Sequence, residues 1–163
     1  MGMSVTISAA DATRDAEQIL KLQYLCYQRE AEIHQNWSIE PLTQPLDALR
    51  AELVEGVGLV ARLGEEIVAS VRGRLDADGT VRIDRLIVHP RMRRHGLGGR
   101  LLDAIERHFA AEPGPAAKRF RLSAGRRGEA GLRLYHSRGY AQVGPQPAEA
   151  GLAQALVTLE KAA

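Results

Sequence analysis

Apolar residues change their spacing several times along the 163-residue chain, and each change marks an element. SVTISAA (4–10) alternates well enough for a short strand. From residue 12 to about residue 33 the period lengthens. Ile19, Leu22, Leu25 and Cys26 fall three and four apart, which predicts a helix with Asp11 or Thr13 as its cap. Pro41 and Pro45 break the pattern, and residues 46–53 read as a second helix. Three short runs rich in β-branched residues follow: VGLVARLG, EIVASVRGRLD and TVRIDRLIVHP. Gly64-Glu65 and the DADG stretch (76–79) separate them. An Asp-Gly pair favours a tight hairpin, so three neighbouring antiparallel strands are expected.

The strongest helical pattern spans residues 97–109. Leu97, Leu101, Leu102, Ile105 and Phe109 form one stripe, and Arg100, Asp103, Glu106 and Arg107 lie largely opposite. Pro113 and Pro115 end it. RFRLSAG (119–125) reads as a strand, residues 130–137 as a short helix stopped by Gly139, and strands follow near 140–143 and 155–160. The order β, α, α, β, β, β, α, β, α, β, β predicts a mixed α/β (α+β) fold. It has an antiparallel front half, a βαβ unit in the middle, six to seven strands and about four helices. With no internal repeat or low-complexity linker, residues 1–163 read as a single domain.

Composition removes several classes. Apolar residues at 45% and charged residues at 26% suit a globular core with a solvated surface. No apolar run approaches the roughly 18 residues of a membrane span, and the first residues lack the basic flank and apolar core of a secretory signal. The expectation is a cytoplasmic protein without a membrane partner. One cysteine, Cys26, excludes an internal disulfide. No histidine pair shows metal-ligand spacing with a third ligand nearby, so no metal is expected. The net charge of +2 is too small for a broad nucleic-acid-binding face.

The candidate chemistry lies in RMRRHGLGG (91–99), between a strand and a helix. The first turn of a helix carries unpaired N–H groups and the positive end of the peptide dipoles, both favourable to an anion. Gly96, Gly98 and Gly99 allow close approach, and Arg93 and Arg94 add charge. GxxxxGK[ST] is absent, and GxGxxG fails because Leu101 follows Gly98 at the wrong place.

Arg93-x-x-Gly96-x-Gly98, preceded by Val88-x-Pro90, resembles the acyl-CoA loop of the GNAT superfamily of N-acetyltransferases. Tyr135, four residues before Gly139 and Tyr140, is similar to that family's C-terminal signature, and the element order agrees over essentially the whole chain. The resemblance implies a GNAT-like fold, acetyl-CoA as co-substrate and direct transfer to a primary amine of a small molecule or peptide. It implies that the backbone of Leu86 and Val88 pairs with the pantetheine arm. The amides of Arg93, Arg94, His95, Gly96, Leu97, Gly98 and Gly99 would hold the pyrophosphate. Relatives often carry an asparagine near the start of the helix before the tyrosine. Here Gly131 stands at that place, with Arg126 or Arg127 as compensating contacts.

Tyr135 is the candidate acid for the leaving thiol, since a phenol with a pKa of about 10 stays protonated at neutral pH. Its bland alternative is a packing tyrosine. Asp84 is the candidate base, and equally a solvent-facing carboxylate paired with Arg82 or Arg85. Glu30 and Glu32 are second choices. Glu32, Trp37 and Leu42 are guesses for the acceptor pocket, although Trp37 taken alone reads better as core. A non-catalytic acyl-CoA-binding module is the alternative function, and a homodimer is one option for assembly.

Overall fold

The computed structural model of the chain describes residues 4–111, 117–125, 129–143 and 156–163. Its elements run β1 (Val5–Ala9), α1 (Ala16–His34), α2 (Glu40–Thr43), α3 (Leu46–Glu55), β2 (Val57–Leu63), β3 (Glu66–Leu75) and β4 (Thr80–Val88). A 3-10 turn (Pro90–Met92) leads to α4 (Leu97–Ala111), β5 (Arg119–Gly125), α5 (Glu129–Ser137), β6 (Ala141–Gln142) and β7 (Leu156–Ala162). The seven strands follow the order β1-β2-β3-β4-β5-β7-β6. Pairing is antiparallel for β1 with β2, β2 with β3, β5 with β7 and β6 with β7, and parallel for β4 with β5. This is the mixed, mostly antiparallel sheet that the pattern implied.

The residues cluster in two compact units, Met1–Arg74 with Arg85–Ile105, and Leu75–Asp84 with Glu106–Ala163. The first unit owes its core to α1 and α3 lying on β2, β3 and β4. Ile19 and Leu22 of α1, Leu49 and Leu53 of α3, Val60, Ile67 and Ile87 form one buried cluster. A buried polar network runs alongside it. Arg72 Nη2 donates to Gln23 Oε1 (2.8 Å), and Gln23 Nε2 donates to Gln44 Oε1 (3.0 Å) and to the Pro41 carbonyl (2.8 Å). Arg72 also pairs with Glu52 at 2.8 Å. Buried polar groups need internal partners, and this network supplies them to Arg72 Nη2, Gln23 and Gln44 while tying down the α2 segment.

In the second unit the Asp-Gly turn forms as expected. Gly79 takes φ +88°, and Gly79 N–H donates to the Asp76 carbonyl at 3.1 Å. Phe109, Phe120, Leu122, Tyr140, Val157 and Leu159 are buried there.

Three expectations change. The helix α1 starts at Ala16, because Asp11 Oδ1 accepts from the amides of Thr13 and Arg14 and closes a turn ahead of the helix. Asp15 then stands at the N-cap without a side-chain cap, its carboxylate being engaged by Arg62, Arg14 and the Asp11 amide. The helix α2 had no sequence signal of its own, since its four residues make barely one turn and show no repeat. Leu25 is 40% exposed rather than part of the stripe. Adjacent residues diverge by about 100° on a helix, so Leu25 and Cys26 cannot share one line. Among the described residues no helix is long and apolar enough to cross a membrane.

Candidate functional site

The site begins in β4. Val81 and Ile83 are buried and Arg82 and Asp84 exposed, the alternation of a half-buried strand. Arg85 then takes φ +55°, a left-handed kink inside the strand. Its side chain pairs with Glu40 of α2 and lies 5.8 Å over the Tyr27 ring of α1, while Arg82 pairs with Asp76. The parallel ladder with β5 runs from Thr80 to Arg82, and β4 continues to Val88 beyond it. Leu86 and Val88, the two residues expected to face an acyl arm, are half-buried. The Val88 carbonyl accepts a weak 3.5 Å bond from the Cys26 thiol. Burial pushes that thiol up to about 11, although the nearby Arg93 charge acts the other way. A thiol so rarely ionised is a poor nucleophile.

The loop after β4 is built by its backbone. His89 Nδ1 accepts from the Arg91 amide at 3.1 Å, and Met92 N–H donates to the His89 carbonyl at 2.8 Å. Met92 is buried and anchors the turn. Arg94 (φ +68°) and Gly96 (φ +74°) are both left-handed. A Cβ on Gly96 would have nothing within 4 Å, so conformation rather than crowding calls for glycine there. The first bond of α4 joins Arg100 N–H to the Gly96 carbonyl at 3.0 Å.

The amides of Arg93, Arg94, His95, Gly96, Leu97, Gly98 and Gly99 therefore have no acceptor among the described residues. Left-handed residues set among ordinary ones turn successive N–H groups to one side, making a concavity suited to an anion. Arg93, Arg94 and His95 are exposed, with no carboxylate partner among the described residues. Leu97, Leu101, Leu102 and Ile105 are buried and seat the helix behind the loop. All the predicted loop residues are thus brought together.

Tyr135 sits in a different local structure, the C-terminus of α5. Tyr140 N–H donates to the Tyr135 carbonyl (3.0 Å) and Gly139 N–H to the His136 carbonyl (3.1 Å), with Gly139 at φ +92°. These are the two bonds of a Schellman motif, in which a left-handed C′ residue lets the next residue reach back over the last turn. The apolar contact that accompanies the motif is present: the Tyr135 and Tyr140 rings meet edge to face, centroids 6.1 Å apart. The spacing of Tyr135, Gly139 and Tyr140 thereby acquires a physical meaning. Burial raises the Tyr135 phenol above its ordinary value, which keeps it protonated. Its hydroxyl has no partner among the described residues. Gly131 lies one turn back, where an added Cβ would sit 3.8 Å from Tyr135 Cε2. Arg126 and Arg127 fall outside the described residues.

The residues guessed for the acceptor side are only partly gathered. Glu32 lines a depression of about 600 Å³ with Leu25, Gln28, Arg29 and Ile33, all from one stretch of α1. Trp37 is 58% exposed, which corrects its reading as core, and Ile33 is 55% exposed. Both follow from their position at the end of α1 and in the turn beyond it. Leu42 is half-buried on α2 and does not line the depression. Sequence reasoning missed Leu25 as an exposed lining residue because its helical spacing placed it with the apolar stripe, and Ile33 was read only as the end of the helix.

Comparison with known proteins adds an independent line. Residues 16–140 match the model of the acetyltransferase (GNAT) family. No curated protein sequence matches the chain. Among solved structures, PaiA N-acetyltransferase from Thermoplasma acidophilum in complex with coenzyme A is similar at TM-score 0.80 and 17% identity. That match covers 99% of this chain and 100% of that one. The ribosomal-protein-S18-alanine N-acetyltransferase of Escherichia coli is similar at TM-score 0.72 and 14% identity, covering 98% and 94%. The Salmonella typhimurium protein yncA, solved with its cofactor acetyl-CoA, is similar at TM-score 0.70 and 20% identity, also covering 98% and 94%.

Proposed function

The chain belongs to the acetyltransferase (GNAT) family, and on that premise we propose that it transfers the acetyl group of acetyl-CoA directly to a primary amine of a small molecule or peptide. The observation that carries this reading is the run of seven amides from Arg93 to Gly99, at the mouth of α4, that have no acceptor among the described residues. A pyrophosphate offers the oxygens such a run needs, and the exposed guanidinium groups of Arg93 and Arg94 strengthen the bonds by charge. Open space around Gly96 leaves the backbone accessible. Leu86 and Val88 lie beyond the part of β4 that pairs with β5 and are proposed to supply backbone groups for an extended arm.

Acetyl-CoA brings a thioester carbonyl and a thiol leaving group. The remaining work falls to side chains. The amine must lose a proton, for which Asp84, exposed beside the kink at Arg85, is the proposed acceptor, directly or through water. The leaving sulfur must gain one, and Tyr135 is the proposed donor because burial holds its phenol protonated. Glu32 and Trp37 are proposed to meet the acceptor.

The test incubates the protein with acetyl-CoA and a panel of amines and follows free thiol release, with Tyr135→Phe alongside. Amine-dependent release, slowed at least about tenfold by Tyr135→Phe, supports the proposal. Acetyl-CoA binding without release on any amine would instead support a non-catalytic binding module, for which Gly131 in place of a polar cofactor contact speaks. A Phe variant as fast as wild type would remove the role of Tyr135.

A further inference from the structure

The hydroxyl of Tyr140 does not end in solvent. Tyr140 is 2% exposed, and a phenolic O–H at that depth needs an acceptor. It donates to Glu106 Oε2 of α4 at 2.7 Å, while Glu106 Oε1 accepts from Lys161 Nζ of β7 at 2.8 Å. The Lys161 ammonium also lies 5.6 Å from the centre of the Tyr140 ring. One largely buried carboxylate thus ties a helix, a strand and the turn after α5, with its charge balanced by one lysine. These three residues and Tyr135 belong to the same compact unit.

Tyr135 itself has no side-chain hydrogen bond among the described residues that would hold its ring. Tyr140 braces it, through the backbone bond at 3.0 Å and the edge-to-face contact. Tyr140 can do this only while its own ring is fixed, and the far end of that ring is fixed by Glu106. Lys161 also lines the turn, its side chain being 3.8 Å from where a Cβ on Gly139 would sit.

We propose that Glu106 is a positioning residue for acetyl transfer. With Lys161 it anchors the Tyr140 hydroxyl, and Tyr140 in turn sets where the Tyr135 hydroxyl stands. The inference rests on the reading of Tyr135 as proton donor. A donor placed about 1 Å wrong loses up to 100-fold in rate, so partial loosening should be felt as roughly tenfold.

The test is a double-mutant cycle on the full chain, with kcat and KM for acetyl-CoA and an accepted amine measured for each variant. The variants are Glu106→Gln, Tyr140→Phe, Tyr135→Phe, and the combinations of each of the first two with Tyr135→Phe. Tyr140→Phe keeps the ring and its burial, so it remains informative if Glu106→Gln does not fold. The expected result is a kcat lowered roughly tenfold in each of the first two variants, with KM for acetyl-CoA within about twofold. Neither substitution should lower kcat further once Tyr135 is Phe. Additive losses in the Tyr135→Phe background, or Tyr140→Phe at the wild-type rate, overturn the positioning role while leaving Tyr135 as donor. Tyr135→Phe at the wild-type rate overturns the donor reading, and the positioning role falls with it.

Discussion

Replacing Gly96 by alanine puts a number on the loop. Gly96 holds φ +74°, and an alanine Cβ there would meet nothing within 4 Å. Steric crowding therefore adds nothing, and the cost is the intrinsic one for an L-residue in the left-handed region, about 1 to 2 kcal/mol. It can appear in two places. If the empty loop keeps its conformation, the folded state bears the cost, and the thermal midpoint falls by roughly 2 to 8 °C. If the loop relaxes when empty, stability is unchanged and binding bears the cost, weakening coenzyme A affinity by about 5- to 30-fold. Asparagine tolerates the left-handed region better than alanine, so Gly96→Asn should recover part of either loss. Calorimetric titration with coenzyme A and a thermal melt on the three proteins separate the cases. An alanine variant with wild-type midpoint and affinity, or an asparagine variant no better than alanine, would refute the conformational argument.

Other consequences are simpler. Asp15 is 1% exposed, and although burial acts to raise its carboxyl, the Asp11 amide, Arg62 (2.6 Å) and Arg14 hold it below the usual range. A lowered value stabilises the fold above the unfolded carboxyl pKa of about 3.9, and that contribution is lost as pH falls through the folded value. Asp15→Asn should cost about 2 kcal/mol at pH 7 in denaturant melts and flatten the acid limb of stability; an unchanged acid limb contradicts it. The Cys26 thiol, pushed up to about 11, should react with iodoacetamide at pH 8 over 100 times more slowly than a free thiol, as its thiolate fraction dictates. Fast labelling of the native protein would show that the thiol is not held against Val88. Gly56→Ala would set a Cβ 2.6 Å from the Gly73 carbonyl oxygen, backbone that cannot swing aside, and should destabilise by about 2 kcal/mol in the same melts. A variant as stable as wild type would show that the start of β2 can shift freely.

Much of the fold was legible where a pattern repeats over several turns or alternations. The stripe from Leu97 to Phe109 predicted α4, and RFRLSAG gave β5 with the bounds observed. The loop was legible through Gly96, whose positive φ only glycine adopts freely, and the α5 end through Gly139 for the same reason. The positive φ values at Arg85 and Arg94 carry no sequence signal, because ordinary side chains stand there. Trp37 was misread as core because size and apolarity argue for burial in general, whereas exposure depends on where α1 ends. The Glu106, Tyr140 and Lys161 cluster was invisible, its members 34 and 55 residues apart with only the fold to join them.

The central claim, that the backbone from Arg93 to Gly99 holds the pyrophosphate of coenzyme A, is tested most directly by titrating the wild-type protein with coenzyme A and with pantetheine, which lacks that group. The account predicts that coenzyme A binds at least about 100-fold more tightly, since two charge-assisted bonds alone exceed that ratio. Equal affinity for the two ligands would contradict it.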